Sequence, residues 1–190
     1  MDGDIIKQKL EDLDLLDDLP LSGWYTPLLG PLIGDPESDD LLNRYRKFAV
    51  GLRDAPEFIR DLICDKNWRP TLMGLTVVIL LRAVEYQSDM AWRLANGNWV
   101  APQLAVAIAL VDEGRGVDLV RGIVDTATKE SNAKVVMSAY SALSFLKSPL
   151  AYKFEASPLF EHLKNADSYD DSLRIAKRHW DFWKTIEPVP

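Results

Sequence analysis

A chain of 190 residues with 47% hydrophobic content and six tryptophans can bury roughly 70% of the surface its unfolded form exposes, which excludes wholesale disorder and favours one domain. Its one cysteine, Cys64, cannot form an internal disulfide, and its longest apolar run, Leu72 to Leu81, is about ten residues where a membrane span needs ~20. The formal charge of −7 is unevenly placed: residues 1–40 hold 11 acids against Lys7 and Lys9, a net of −9, and the other 150 residues hold 18 acids and 20 bases, a net of +2.

The opening residues, Met1-Asp2-Gly3-Asp4, are acidic where a secretory signal would be basic. A soluble cytoplasmic protein without membrane contact is the expectation. Residues 4–18 have the pattern of an amphipathic helix, with Ile5, Ile6, Leu10, Leu13 and Leu16 on one side and acids on the other. Residues 19–38 contain Pro20, Pro27, Pro31 and Pro36 with Gly23, Gly30 and Gly34, which no regular helix tolerates. This stretch is nonetheless apolar (Leu21, Trp24, Tyr25, Leu28, Leu29) and is expected to pack down as an extended strap, sealing one end of the body or docking to a partner. A linking helix follows over about 39–54, with Ser38 as its N-cap and Leu41, Leu42, Tyr45, Phe48, Ala49 and Leu52 facing inward.

From residue 55 the sequence repeats itself. Three times an Asn opens an apolar stretch: Asn67-Trp68, Asn98-Trp99 and Asn132-Ala133, spaced 31 and 34 residues apart. Ahead of each lies an acid, two apolar residues, two variable ones and two more apolar ones: Glu57-Phe58-Ile59-x-x-Leu62-Ile63, Asp89-Met90-Ala91-x-x-Leu94-Ala95, and Asp118-Leu119-Val120-x-x-Ile123-Val124. Pro158-Leu159-Phe160-x-x-Leu163 is a weaker fourth copy. A period of this size signals stacked helical hairpins that bury their apolar faces only against their neighbours. The first helices are expected near 55–64, 87–96, 116–127 and 158–165, the second near 68–84, 100–112, 132–147 and 169–185.

Each repeated Asn suits an N-cap, where its side-chain oxygen accepts from backbone N–H groups the helix leaves orphaned. Leu72–Leu81 and Leu104–Val111 are apolar all round, as in helices buried between neighbours, and Gly74 with Ala101, Ala105, Ala107 and Ala109 permits close approach. The last helix carries a single stripe, Leu173, Ala176, Trp180 and Trp183, and reads as a cap with one wet face.

Residues 55–185 thus resemble the HEAT/armadillo class of α-solenoids in period, helix pairing and apolar positions. The expected fold is all-α: stacked antiparallel helical hairpins, about ten helices in one domain over 1–190, with residues 1–38 as acidic helix plus strap, 39–54 as the linking helix and 55–185 as the repeats. The resemblance also implies that some relatives process nucleic acid, including DNA glycosylases that cradle the duplex in a basic groove. The acidic balance of this chain speaks against that.

No constellation calls for chemistry. Cys64, His162 and His179 lack the spacing of metal ligands, so no metal or other cofactor is expected. Cys64 reads as a small buried hydrophobe and His179 as a rim residue. Asp112-Glu113 is explained by solvation of a turn, Asp170-Asp171 by the dipole of the last helix, and Gly114-Arg115-Gly116 by the turn between hairpins. Phosphate cradles and nucleophile elbows are absent from the string, so no catalytic residue is assigned. Trp68 and Trp99 are expected to wedge between hairpins as core rather than to form a binding ladder.

What remains is the acidic edge. A surface of this sign steers onto basic protein surfaces and repels phosphate. The expectation is a non-enzymatic module of the kind that immunity proteins represent, binding a basic toxin or effector through Asp35, Glu37, Asp39 and Asp40 with Trp24 and Tyr25, and binding no nucleic acid. The alternative is a scaffold subunit that homodimerises through the strap or the last helix.

Overall fold

The computed structural model describes Gln8, Gly34 and residues 36–97, 99–166 and 169–190. These described residues form ten α-helices: α1 (Pro36–Gly51), α2 (Pro56–Cys64), α3 (Trp68–Leu81), α4 (Gln87–Ala95), α5 (Ala101–Val111), α6 (Glu113–Asp125), α7 (Ala133–Phe145), α8 (Pro149–Glu155), α9 (Pro158–Ala166) and α10 (Tyr169–Trp183). They contain no strand, so the fold is all-α among the described residues. The expected helix over 4–18 and the strap lie outside them, apart from Gln8 and Gly34.

The repeated motif is the inward stripe of the short helices. Phe58, Ile59, Leu62 and Ile63 of α2 are buried, as are Met90 and Leu94 of α4, Val120 and Val124 of α6, and Phe160 and Leu163 of α9. Positions i, i+1, i+4 and i+5 lie on one face of a helix, and the copies bury different parts of it: all four in α2, the first and third in α4, the second and fourth in α6. Helix α2 packs on α3, α4 on α5 and α6 on α7, while α2, α4 and α6 touch in sequence, as do α3, α5 and α7. The first row is amphipathic and the second is interior.

Helix α5 shows why the second row has no stripe. Every residue from Ala101 to Val111 is buried, because α3, α4, α6, α7 and α10 all pack on it. Small residues set the distances: a Cβ on Gly74 of α3 would sit 2.9 Å from the Ile63 amide nitrogen and 3.0 Å from Leu62 Cβ of α2.

Two of the three Asn caps are present. Asn67 accepts from the Arg69 amide at 3.1 Å and Asn132 from the Val135 amide at 3.3 Å. Asn98 lies outside the described residues, and the N-cap position of α5 falls two residues later, on Val100, without a side-chain cap. Tertiary burial of α5 makes such a cap dispensable. Replacing Asn67 by Ala is expected to cost about 1 kcal/mol, which a thermal melt reads as a loss of about 2–4 °C; an unchanged melting temperature would show that the bond contributes nothing.

Other expectations are corrected. Helix α1 begins at Pro36, whose missing N–H costs nothing in a first turn, so Ser38 is a buried residue inside the helix rather than its N-cap. Gly114-Arg115-Gly116 is not a turn. The chain reverses at Asp112 alone, in extended conformation (φ −148°, ψ 109°), and its carboxylate caps α6 by accepting from the Arg115 amide at 3.2 Å. Helix α8 has no counterpart in the repeat; Ser148 caps it, Pro149 opens it, and Phe154 anchors it beside Tyr140 and Phe160, with ring centroids 5.8 Å from each.

Helix α10 also departs from a simple linear stack, in which a terminal unit touches only its neighbour. It packs on α5 as well as α7, with the Trp180 and Phe145 rings 5.5 Å apart. The tail beyond it crosses back to α3, where the Val189 amide donates to the Leu80 carbonyl at 2.9 Å and the Arg53 guanidinium donates to the Pro190 carbonyl.

Candidate binding cleft at the starts of the inner helices

The second-row helices α3, α5 and α7 lie side by side and begin at the same edge. There a cleft of about 370 Å³ is lined by Lys66, Trp68, Arg93, Gly97, Trp99, Asn132 and Lys134. No carboxylate is among these residues, in a chain whose net charge is −7. Trp68, Trp99 and Asn132 of the repeated motif are among its lining residues.

Its rings are not both core. Trp68 is half-buried against the core, with the Arg69 guanidinium 4.8 Å from its ring centroid. Trp99 is 79% exposed, with Lys134 Nζ 5.1 Å from its ring centroid. The expected wedge between hairpins is corrected for Trp99: α5 begins at Ala101, which leaves Trp99 in the connecting turn, outside the packed layer. At ~5 Å both pairs have the geometry of cation–π contacts.

Arg93 is the buried cation of the site, 8% exposed. It donates to the Gly97 carbonyl at 3.0 Å and to the Lys66 carbonyl at 3.2 Å, tying the loop before α3 to the loop before α5. Its Nε is buried without a hydrogen-bond partner, and burial lowers its pKa from the ordinary guanidinium value. A buried charge satisfied only by neutral carbonyls leaves an unfilled demand for an anion.

Helix dipoles point the same way. The outer helices α2, α4 and α6 each carry an acid in the first turn: Glu57, Asp89 and Glu113. Helices α3, α5 and α7 carry none. Acids are worth about 0.3–1 kcal/mol at that position and cations are unfavourable there. Arg69 and Lys134 nevertheless stand in the first turns of α3 and α7. The positive field of this edge is thus reinforced.

Of the residues assigned from sequence, Asp39 and Asp40 are described in full. Asp39 and Asp40 are exposed near the start of α1, and the Asp40 carboxylate accepts from Arg44 Nε at 2.9 Å. Glu37 belongs to α1, but its side chain lies outside the described residues, as do Asp35, Trp24 and Tyr25. Asp39 and Asp40 are not among the residues lining the cleft. Lys66, Arg93, Trp99 and Lys134 were not singled out as a binding set; the signal for them was the basic residue flanking the Asn-Trp motif in Lys66-Asn67-Trp68-Arg69 and recurring at Lys134.

The remaining polar candidates are structural. His179 is buried, 1% exposed, and its Nδ1 accepts from Trp183 Nε1 at 3.2 Å. The rim position expected for it is corrected because 176, 179, 180 and 183 fall on one face of α10. Cys64 is half-buried against the core, and its thiol pKa is raised by burial first and by the Asp89 carboxylate second. Among the described residues no three His, Cys, Asp or Glu side chains are grouped so as to hold a metal ion, and no helix is long and apolar enough to cross a membrane. The chain matches no protein-family model, no curated protein and no solved structure.

Proposed function

We propose that this chain is a non-enzymatic, HEAT/armadillo-like protein-binding module, an immunity-type inhibitor that meets a basic toxin or effector with its acidic edge. The observation behind this reading is the segregation of charge: a net of −9 over residues 1–40 against +2 over the rest. Concentrated charge of one sign raises encounter rates with an oppositely charged surface. Asp39 and Asp40 stand exposed on α1, whose buried face of Leu41, Leu42, Tyr45, Phe48 and Ala49 anchors it to α3.

The test is co-expression with the product of the adjacent reading frame, followed by binding kinetics on the purified pair. The expected result is rescue of growth and an association rate that falls about tenfold between low and physiological salt. Neutralising Asp35, Glu37, Asp39 and Asp40 together should slow association more than it speeds dissociation. An affinity that ignores both salt and the four substitutions would overturn the reading and leave the acids a purely local role, of the kind Asp40 plays toward Arg44.

A further inference from the structure

The cleft described above has every feature of a site for an anion that also carries a flat ring, and the acidic edge accounts for none of them. Lys66 and Lys134 form no ion pair among the described residues, and Arg93, more than nine-tenths buried, is one of the lining residues and has a buried Nε without a hydrogen-bond partner. The starts of α3, α5 and α7 add their dipoles with no acid in their first turns, although the buried Asp65 carboxylate accepts from the Asn67 amide at 2.7 Å just ahead of α3. Cation and ring are adjacent: Lys134 Nζ lies 5.1 Å from the Trp99 ring centroid, and that ring is largely open to solvent.

We propose that this cleft binds a nucleotide, its phosphate drawn to Lys66, Arg93 and Lys134 and its base stacked on Trp99. A nucleotide carries its negative charge and its planar group a few ångströms apart, as the cations and rings of the cleft are. The volume of about 370 Å³ suits one such unit and is too small for a duplex. Cation-lined grooves with aromatic platforms are the general solution for single-stranded nucleic acid, where stacking tolerates any base. An acidic peptide would satisfy the cations but leave Trp99 without a partner. The net negative charge is concentrated in the first 40 residues, the other 150 carry a net of +2, and among the described residues no acid lines the cleft.

The experiment uses the full chain at low salt with three probes: ATP, a fluorescein-labelled oligothymidylate of about twelve nucleotides, and polyglutamate of similar charge. Anisotropy and competition give the affinities. Saturable binding of ATP or of the oligonucleotide is expected, weakened about tenfold by Trp99→Ala and again by Lys134→Ala. Trp99 is exposed outside the helices and Lys134 is half-buried in the first turn of α7, and unchanged circular dichroism melts would confirm intact folds. Displacement of the oligonucleotide by ATP would identify a free nucleotide as the source, and binding of the oligonucleotide alone would identify a strand. Absence of saturable binding by either probe, polyglutamate competing as well as the oligonucleotide, or affinities indifferent to both substitutions would overturn the proposal. None of these results depends on Asp35, Glu37, Asp39 or Asp40, so failure here and failure of the acidic-edge reading remain separate.

Discussion

Leu104→Asp should leave no cooperatively folded protein. Leu104 is fully buried in α5, a helix with no exposed residue and with five other helices packed on it. A carboxylate there would be taken out of solvent into a fully buried helix, a penalty of at least ~4 kcal/mol against a typical total stability of about 5–15 kcal/mol. The neighbours cannot relax outward without separating both rows. Circular dichroism and a thermal melt read the result: lost helicity or the absence of a cooperative transition. Arg174→Ala is the matched control, because Arg174 is exposed and its bond to Asp171 at 2.9 Å is a surface pair within one helix; it should change stability by less than about 0.5 kcal/mol. A soluble Leu104→Asp protein melting at the parent temperature would refute the central place of α5.

Two glycines of α6 should respond to alanine in opposite directions. A Cβ on Gly116 would lie 2.5 Å from the Ile108 carbonyl oxygen and 3.0 Å from Ala109 Cα. Both obstacles are backbone of α5, which cannot rotate aside. Gly116→Ala must push α6 off α5 and is expected to cost about 1–3 kcal/mol. Gly122, in the same helix, has nothing within 4 Å of its would-be Cβ. There alanine only removes unfolded-state freedom, and a gain of about 0.5–1 kcal/mol is expected. At about 2–4 °C per kcal/mol the two melting temperatures should fall on either side of the parent's. If Gly116→Ala were neutral, the close approach of α6 to α5 would be wrong.

Local pattern was enough for much of the helical order. The acid-apolar motif placed α2, α4 and α9 to within a residue or two, because an inward wedge at i, i+1, i+4 and i+5 is a property of the segment itself. The same holds for the caps Asn67 and Asn132, which act within one turn of helix. All-round apolarity also marked α3 and α5 as interior, since no water-facing side can be built from such residues.

What the sequence could not decide is where non-neighbouring segments meet. Helix α10 has an inward stripe that fits any apolar groove, and only the assembled body sends it across α5 and α7. His179 is carried inward by that choice, beside Trp183. Trp99 shows the converse: identical in motif to Trp68, it is left in solvent because α5 starts two residues after it, and an N-terminus set by packing rather than by a cap is invisible in a local pattern. The cationic cleft belongs to the same class. Lys66, Arg93 and Lys134 are scattered over 69 positions of an acidic chain. They converge because α3, α5 and α7 all begin at one edge. Composition averages over the whole molecule: the order of residues along the chain already separates the acids of 1–40 from the rest, and only the tertiary structure gathers the basic cleft.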